Sequence, residues 1–304
     1  MRQTALNTVY KLAESNPRII FIGSDLGHGT LETMRKSLPK QFFMEGISEQ
    51  HIVGFAAGLA KQGFIPFINT IANFMSRRAI EQIILDVALH KLPVKILASG
   101  GGMVYAPLGP THTATDDLAH VLGIPNLNVF APCDANEMEE IITRESLSSL
   151  PSYIRFGKGG EKIVSSQLNL ASNLDFRHTG STHSKMVIVT TGIAVQPCLD
   201  AINTIESKSR PSLIHLLKLN LKGNRELAER LTKAEKVLVV EEHQERGGLL
   251  TELLHFKLDH KYLDFDIHTI SLGTEFIRKY GSQNDHLVQY GISVDKIKSK
   301  LINN

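Results

Sequence analysis

The sequence predicts two α/β domains, each a three-layer arrangement of a parallel sheet with helices on both faces. Two observations carry this. Apolar runs bounded by Gly, Pro or Asp alternate with helical patterns. That alternation is also interrupted once, by a polar Gly-rich stretch, and then resumes. A chain of 304 residues, 42% hydrophobic and 21% charged, has the size and composition for two ordinary soluble domains.

In order along the chain, residues 18–23, 65–69, 94–98 and 127–131 read as buried strands. Helical patterns occupy 48–62, 76–90 and 134–145 between them. The composition changes at Gly157-Lys158-Gly159-Gly160 and stays polar through Ser181-Thr182-His183-Ser184, which reads as a linker. The expected domains are therefore 1–165 and 183–304. The second takes its strands from 186–190, 213–217, 237–241 and 265–270. Parallel sheets bind ligands beyond the carboxyl ends of their strands, where the turns with Asp25, Phe74 and Gly100-Gly101-Gly102 should fall.

Composition excludes several classes of function. A net charge of +2, with Lys and Arg scattered, gives no footprint for nucleic acid. No stretch approaches the roughly 20 apolar residues that span a bilayer. The segment Met1-Arg2-Gln3-Thr4-Ala5-Leu6 has no apolar signal core. Cys133 and Cys198 lie far apart with no CxxC spacing, so free thiols and a cytoplasmic setting are expected. The thirteen histidines form no HExxH or paired Cys/His spacing, and no metal site is expected on this chain.

The most informative segment is Gly46-Ile47-Ser48-Glu49-Gln50-His51, followed by Phe55-Ala56-Ala57-Gly58-Leu59-Ala60. Taken alone, Glu49 is either a first-turn helix charge or a buried acid held for chemistry. Three later segments decide between these readings. They are Phe74-Met75-Ser76-Arg77-Arg78-Ala79-Ile80-Glu81-Gln82, Leu108-Gly109-Pro110-Thr111-His112, and Val237 to His243 running into Gly247-Gly248-Leu249. In this order and spacing the chain resembles the transketolase family of thiamine diphosphate enzymes, in the half made of the pyrimidine-binding and C-terminal domains.

The resemblance implies a division of labour. Glu49 would hydrogen-bond N1′ of the cofactor's aminopyrimidine, so that the cofactor's own 4′-amino group can assist deprotonation of the thiazolium. A carboxylate in a dry pocket shares a proton effectively in this way. Phe74 would stack on the pyrimidine, Leu26 would support the bent cofactor between its rings, and Asp25 would lie in the same pocket. His112 would line the channel above the thiazolium and exchange protons with a substrate hydroxyl. Of Arg77 and Arg78, one would anchor the pocket and the other would be a solvated or partner-facing charge. Arg2, His28, Leu108 and Lys158 fall at substrate-facing positions.

Some of these positions depart from the family pattern. Leu108 stands where an acidic residue usually reads a substrate hydroxyl. Gly29 replaces a common Ser, Gly100 a common His, and Lys158 a common Arg, whose bidentate fork Lys cannot reproduce. Ordinary pentose and hexose phosphates are therefore not the expected preferred substrates, although Arg2 and Lys158 could still hold a phosphate or carboxylate.

The family binds the cofactor diphosphate through Mg²⁺ on a Gly-Asp-Gly segment, and no Gly-Asp-Gly occurs here. The resemblance thus implies one subunit of a split transketolase. Its partner, an N-terminal subunit with the diphosphate domain, would supply the Mg²⁺ ligands, most simply in an α2β2 assembly acting on small sugars. The alternatives are a decarboxylating relative, of the deoxyxylulose-phosphate synthase or 2-oxo acid dehydrogenase beta-subunit type, and a non-catalytic scaffold. Glu241, Glu242 and His243 before Gly247-Gly248 could form an anion site, but a structural role is the expectation.

Overall fold

In the computed structural model of the chain, which describes residues 1–25 and 31–303, two six-stranded sheets follow one another along the sequence. The first contains β1 (Ile19–Gly23), β2 (Phe42–Met44), β3 (Ile65–Ile71), β4 (Lys95–Ser99), β5 (Asn128–Phe130) and β6 (Ser152–Phe156). They are ordered β2-β1-β3-β4-β6-β5 and all pairs are parallel. Its helices are α1 (Arg2–Ser15), α2 (Glu32–Ser37), α3 (Glu49–Lys61), α4 (Ala72–Arg78), α5 (Ile80–Gln82), α6 (Asp117–Val121) and α7 (Ala135–Glu145).

Strand periodicity explains the three layers. In β1, Ile20 and Ile22 point to one face and pack with Ile52, Val53 and Ala56 of α3. Ile19 and Phe21 point to the other, against Leu6 and Val9 of α1 and Met138 and Ile142 of α7. A sheet covered on both faces buries every position of its strands, and β1 and β3 are buried throughout, with the polar Asn69 side chain donating to the Leu97 carbonyl.

The second sheet contains β7 (Asn169–Leu170), β8 (Phe176–Thr179), β9 (Met186–Thr190), β10 (Ser212–Leu216), β11 (Lys236–Gln244) and β12 (Asp266–Leu272). Their order is β12-β11-β9-β10-β8-β7, with β8 antiparallel to β10 and β7 antiparallel to β8. The helices are α8 (Val195–Asn203), α9 (Arg225–Leu231), α10 (Leu249–Asp259), α11 (Gln283–Gln289) and α12 (Val294–Asn303). One apolar cluster runs from α3 and the first sheet through to α9, α10 and the second. Another fills the opposite face of the second sheet with Val195, Cys198 and Leu199 of α8 and Ile297 of α12. Among the described residues no helix is long and apolar enough to cross a membrane.

The predicted α/β architecture is present, with further elements the sequence left unread, among them α1 and β2, and three instructive local differences. The single helix expected over 76–90 is broken: α4 ends at Arg78, and Ile83–Ala88 forms a π-helical stretch. Ala79, Ile83 and Val87 are all fully buried and spaced four apart. The wider π turn, closed by bonds such as Leu89 N to Ile84 O, keeps this four-residue spacing on one face. Second, β6 goes unread in the sequence because Arg155 interrupts its apolar run. Third, β7 and β8 lie inside the stretch read as linker and form the antiparallel edge of the second sheet.

Candidate active site

Register aligns the carboxyl ends of five neighbouring strands. Gly23 of β1 faces Met44 of β2 and Asn69 of β3, Ile71 faces Ser99 of β4, and Ser99 faces Phe156 of β6. The residues singled out in the sequence follow these ends in turn. Glu49 comes after β2, Asp25 after β1, Phe74 after β3, Leu108 and His112 after β4, and Lys158 after β6.

Glu49 opens α3 and is 3% exposed. Its Oε2 accepts a hydrogen bond from Nη1 of Arg78 at 3.2 Å. Its Oε1 is buried and has no hydrogen-bond partner among the described residues. A buried carboxylate oxygen left unmatched is costly, and a donor from outside the described residues would satisfy it. Arg78 also lies over the Phe74 ring, with its guanidinium carbon 4.0 Å from the ring centroid.

Phe74 meets His112 edge-on, with ring centroids 5.2 Å apart and planes at 66°. Asn73, fully buried beside Phe74, donates from Nδ2 to the carbonyl of Thr111. The hydroxyl of Thr111 lies 2.9 Å from His112 Nδ1. The turn after β3 and the Gly-Pro-Thr-His turn after β4 are thus clasped together. The structure brings Glu49, Arg78, Phe74 and His112 into one continuous cluster. Asn73 escaped the sequence reading, although its place beside the stacking residue is a local signal.

The other expected residues lie around this cluster. Asp25 is exposed, and its Oδ1 accepts from the Ser24 hydroxyl at 3.1 Å. Leu108 is exposed at the end of a 3-10 turn. Lys158 is exposed, and Arg2 opens α1 directly after buried Met1, whose amino group pairs with Glu161 at 2.8 Å, so the start of α1 adjoins the loop that carries Lys158. Leu26 and His28 lie outside the described residues, as does Gly29. Arg77 is committed to Asp116 at 2.7 Å, which leaves Arg78 as the arginine of the pocket. Gly100 has φ +80°, and the Tyr105 ring fills the space where a side chain would begin. The His that is common in the family therefore has no room at this position.

The second domain supports the His112 loop from behind. Glu242 at the end of β11 accepts from the backbone NH of Met103 at 2.9 Å and from Gln283 Nε2 at 2.8 Å. Arg155 bonds Asp117 at 3.0 Å and the Glu242 carbonyl at 2.8 Å. Burial pushes the Glu242 carboxyl up to about 7, against the opposing charge of Arg155. Glu241 caps α10, accepting from the NH groups of Leu249 and Leu250 at 2.8 and 3.1 Å. The helix start that the sequence offered as an anion site is thus satisfied by the chain's own carboxylate.

Among the described residues, Cys133, Glu137 and His215 lie close enough to share a metal ion. However, Glu137 is already paired with His215 at 2.9 Å and with Arg177 at 3.0 Å, and a guanidinium against the carboxylate disfavours a cation.

Comparison with known proteins identifies both domains. Residues 1–160 match the family described as "Transketolase, pyrimidine binding domain" and residues 178–297 match "Transketolase, C-terminal domain". The 1-deoxy-D-xylulose-5-phosphate synthase of Listeria welshimeri is 32% identical over 299 residues, which cover 97% of this chain and 47% of that protein. The enzyme of the same name from Syntrophus aciditrophicus is 30% identical over 94% of this chain and 44% of its own length. The chain therefore spans about half the length of these curated relatives. A putative uncharacterized transketolase family protein of Sinorhizobium fredii is 28% identical over 95% of this chain and 84% of its own.

Among solved structures, one described as "Split gene transketolase, inactive beta4 tetramer" superposes with a TM-score of 0.84 and 28% identity. The match covers 99% of this chain and 97% of that one. The transketolase of Campylobacter jejuni shares the fold, with a TM-score of 0.81 over 99% of this chain and 46% of that one. The chain belongs to the transketolase family, of which it carries the pyrimidine-binding and C-terminal domains.

Proposed function

We propose that this chain is one subunit of a thiamine diphosphate-dependent transketolase that moves a two-carbon ketol unit from a ketose to an aldose. Its active site would be completed by a partner chain that carries the diphosphate domain and the Mg²⁺ ligands. The observation that carries this reading is the buried Glu49 carboxylate, with Oε1 lacking a partner among the described residues, grouped with the ring of Phe74. A carboxyl group that can share a proton with a ring nitrogen and an aromatic face are what an aminopyrimidine needs, so the residues present fit the cofactor. The absence of Gly-Asp-Gly from the sequence favours a partner for the diphosphate and Mg²⁺, as does the near-complete overlap with a chain described as a split gene transketolase. A cytoplasmic setting fits the two buried free thiols.

When bound, the cofactor would supply the nucleophilic carbon that the chemistry of the donor carbonyl requires. Everything else falls to side chains. Glu49 holds a proton at the pyrimidine N1′ and Phe74 fixes the ring by stacking. His112, with Nδ1 engaged by Thr111, presents its other nitrogen for a proton of the substrate hydroxyl. Arg2 and Lys158 offer positive charge to a phosphate or carboxylate at the mouth, and Leu108 offers no hydrogen bond. Asp25, and Leu26 and His28 beyond the described residues, remain proposed members of the same pocket.

The names of the curated relatives support a second reading, a decarboxylating enzyme of the deoxyxylulose-phosphate synthase type. Reconstitution with a diphosphate-domain partner separates the two. Ketol transfer between sugars without release of carbon dioxide from pyruvate is the expected result. Carbon dioxide release would replace it with the second reading.

A further inference from the structure

The loop that carries His112 is closed firmly at its base and held at its tip by one side chain. Residues 103–113 form the excursion after β4. At the base, Gly102 and Ala114 exchange backbone hydrogen bonds in both directions, each 2.9 Å. Near the tip the bonds are local. His112 N reaches Gly109 O at 3.0 Å, and the Thr111 hydroxyl lies 2.9 Å from His112 Nδ1. Among the described residues, the one hydrogen bond that ties the 109–112 tip to another element runs from Asn73 Nδ2 to the Thr111 carbonyl. Tyr280 lies beside Gly109, but it is exposed and, among the described residues, makes no hydrogen bond to the tip.

Asn73 is well placed for this task. It is 1% exposed within α4, directly before Phe74, so packing restricts its amide. The carbonyl it holds belongs to the peptide bond that leads into His112. Phe74 in turn meets the imidazole edge-on, with centroids 5.2 Å apart. Two successive residues of α4 thus grip two successive residues of the loop. We propose that Asn73 is a positioning residue, which acts through Thr111 to set the place of the His112 imidazole against the Phe74 ring. The proton transfer assigned to His112 rests on the cofactor reading given above, whereas its placement by Asn73 does not.

Removing the donor should free the tip. Asn73→Ala leaves the Thr111 carbonyl without its buried partner. Asn73→Asp keeps the shape, but an ionised carboxylate only accepts, so it repels the same carbonyl. A misplacement of about 1 Å at a reacting group costs on the order of 10²-fold in rate.

The test reads the His112 ring C–H signals by NMR in the histidine-labelled full chain, assigned with His112→Gln. Phe74→Leu is made in the wild type, in Asn73→Ala and in Asn73→Asp, and circular dichroism checks that each is folded. The expected result is that Phe74→Leu shifts the His112 signals in the wild type, because the aromatic ring current is lost. In both Asn73 variants that shift should shrink by about half or more, the mark of coupled residues. An undiminished shift in a folded Asn73 variant overturns the proposal, as does the absence of any shift in the wild type. Failure of both Asn73 variants to fold also overturns it, since Asn73 would then serve the fold alone. The complex reconstituted with a diphosphate-domain partner adds a second readout. Asn73→Ala should lower kcat roughly 10–100-fold, and should lower it no further in a His112→Gln background. A full additional loss in that background overturns the positioning role. An unchanged kcat beside a diminished NMR shift upholds the placement and counts instead against proton transfer by His112.

Discussion

At the scale of single residues, the site depends on side chains whose neighbours leave them little freedom. Glu49 is held by burial and by Arg78, and its free oxygen has no partner among the described residues. If it holds the proton that activates the cofactor, Glu49→Gln keeps the shape and removes the chemistry. The reconstituted complex should then lose activity by roughly 10²-fold or more, the scale of a general acid–base contribution. Steady-state turnover of the variant complex checks this, and near-wild-type turnover would favour the scaffold reading. Gly102 is constrained from another side. It has φ +70°, and an added Cβ would lie 2.4 Å from the Glu242 carboxyl carbon. Gly102→Ala meets both a left-handed backbone and a buried carboxylate, so it should destabilise the protein by about 1–3 kcal/mol. A urea midpoint that does not move would show that the loop relaxes freely.

At the scale of elements, Asp134 shows how one cap ties two segments together. Its carboxylate accepts from the NH groups of Asn136 and Glu137 at the start of α7, and also from Val164, Ser165 and the Ser165 hydroxyl at 2.7–3.0 Å. Burial opposes the charge, but these hydrogen bonds prevail and hold the carboxyl below its usual range. Asp134→Ala should therefore cost more than the ~1 kcal/mol of an ordinary cap, and it should loosen the chain near residue 165. Thermal melting and amide exchange at Val164 and Ser165 would check both effects. How far elements were legible follows the same division between local and distant causes. β1, β3 and β9 were readable because strands buried on both faces are continuous apolar runs. β6 was not, because Arg155 is tolerated in a core strand through distant partners, Asp117 lying 38 residues earlier and the Glu242 carbonyl 87 residues later. Glu49, Phe74 and His112 were singled out from motif and spacing, and they fall in one cluster. The choice of Arg78 over Arg77 was not, since it rests on which arginine turns toward Glu49 after α4 has docked.

At the scale of the whole molecule, the two domains are joined by buried polar groups as well as by shared apolar packing, and this gives the junction a pH signature. Glu242 reaches from the second domain to the Met103 NH in the loop that leads to His112. Its carboxyl is pushed from 4.5 up to about 7, first by burial, with Arg155 opposing the shift. The folded protein thus keeps a proton that the unfolded chain releases near the ordinary carboxylate value. The stabilisation from this group is fully present below the unfolded value and is lost as pH rises through about 7, the reverse of an acid held in a salt bridge. Glu242→Gln keeps the acceptor for Met103 and Gln283 but cannot ionise. The variant should match wild type near pH 4 and exceed it near pH 8 by up to a few kcal/mol. Glu241, also pushed up to about 7 by burial, should leave a residual slope in the variant. Melting temperatures of both proteins across this range decide the matter. A gap that grows with pH supports a protonated Glu242 at the domain junction. A gap independent of pH would mean that the carboxylate is already ionised there, with Arg155 offsetting its burial in full.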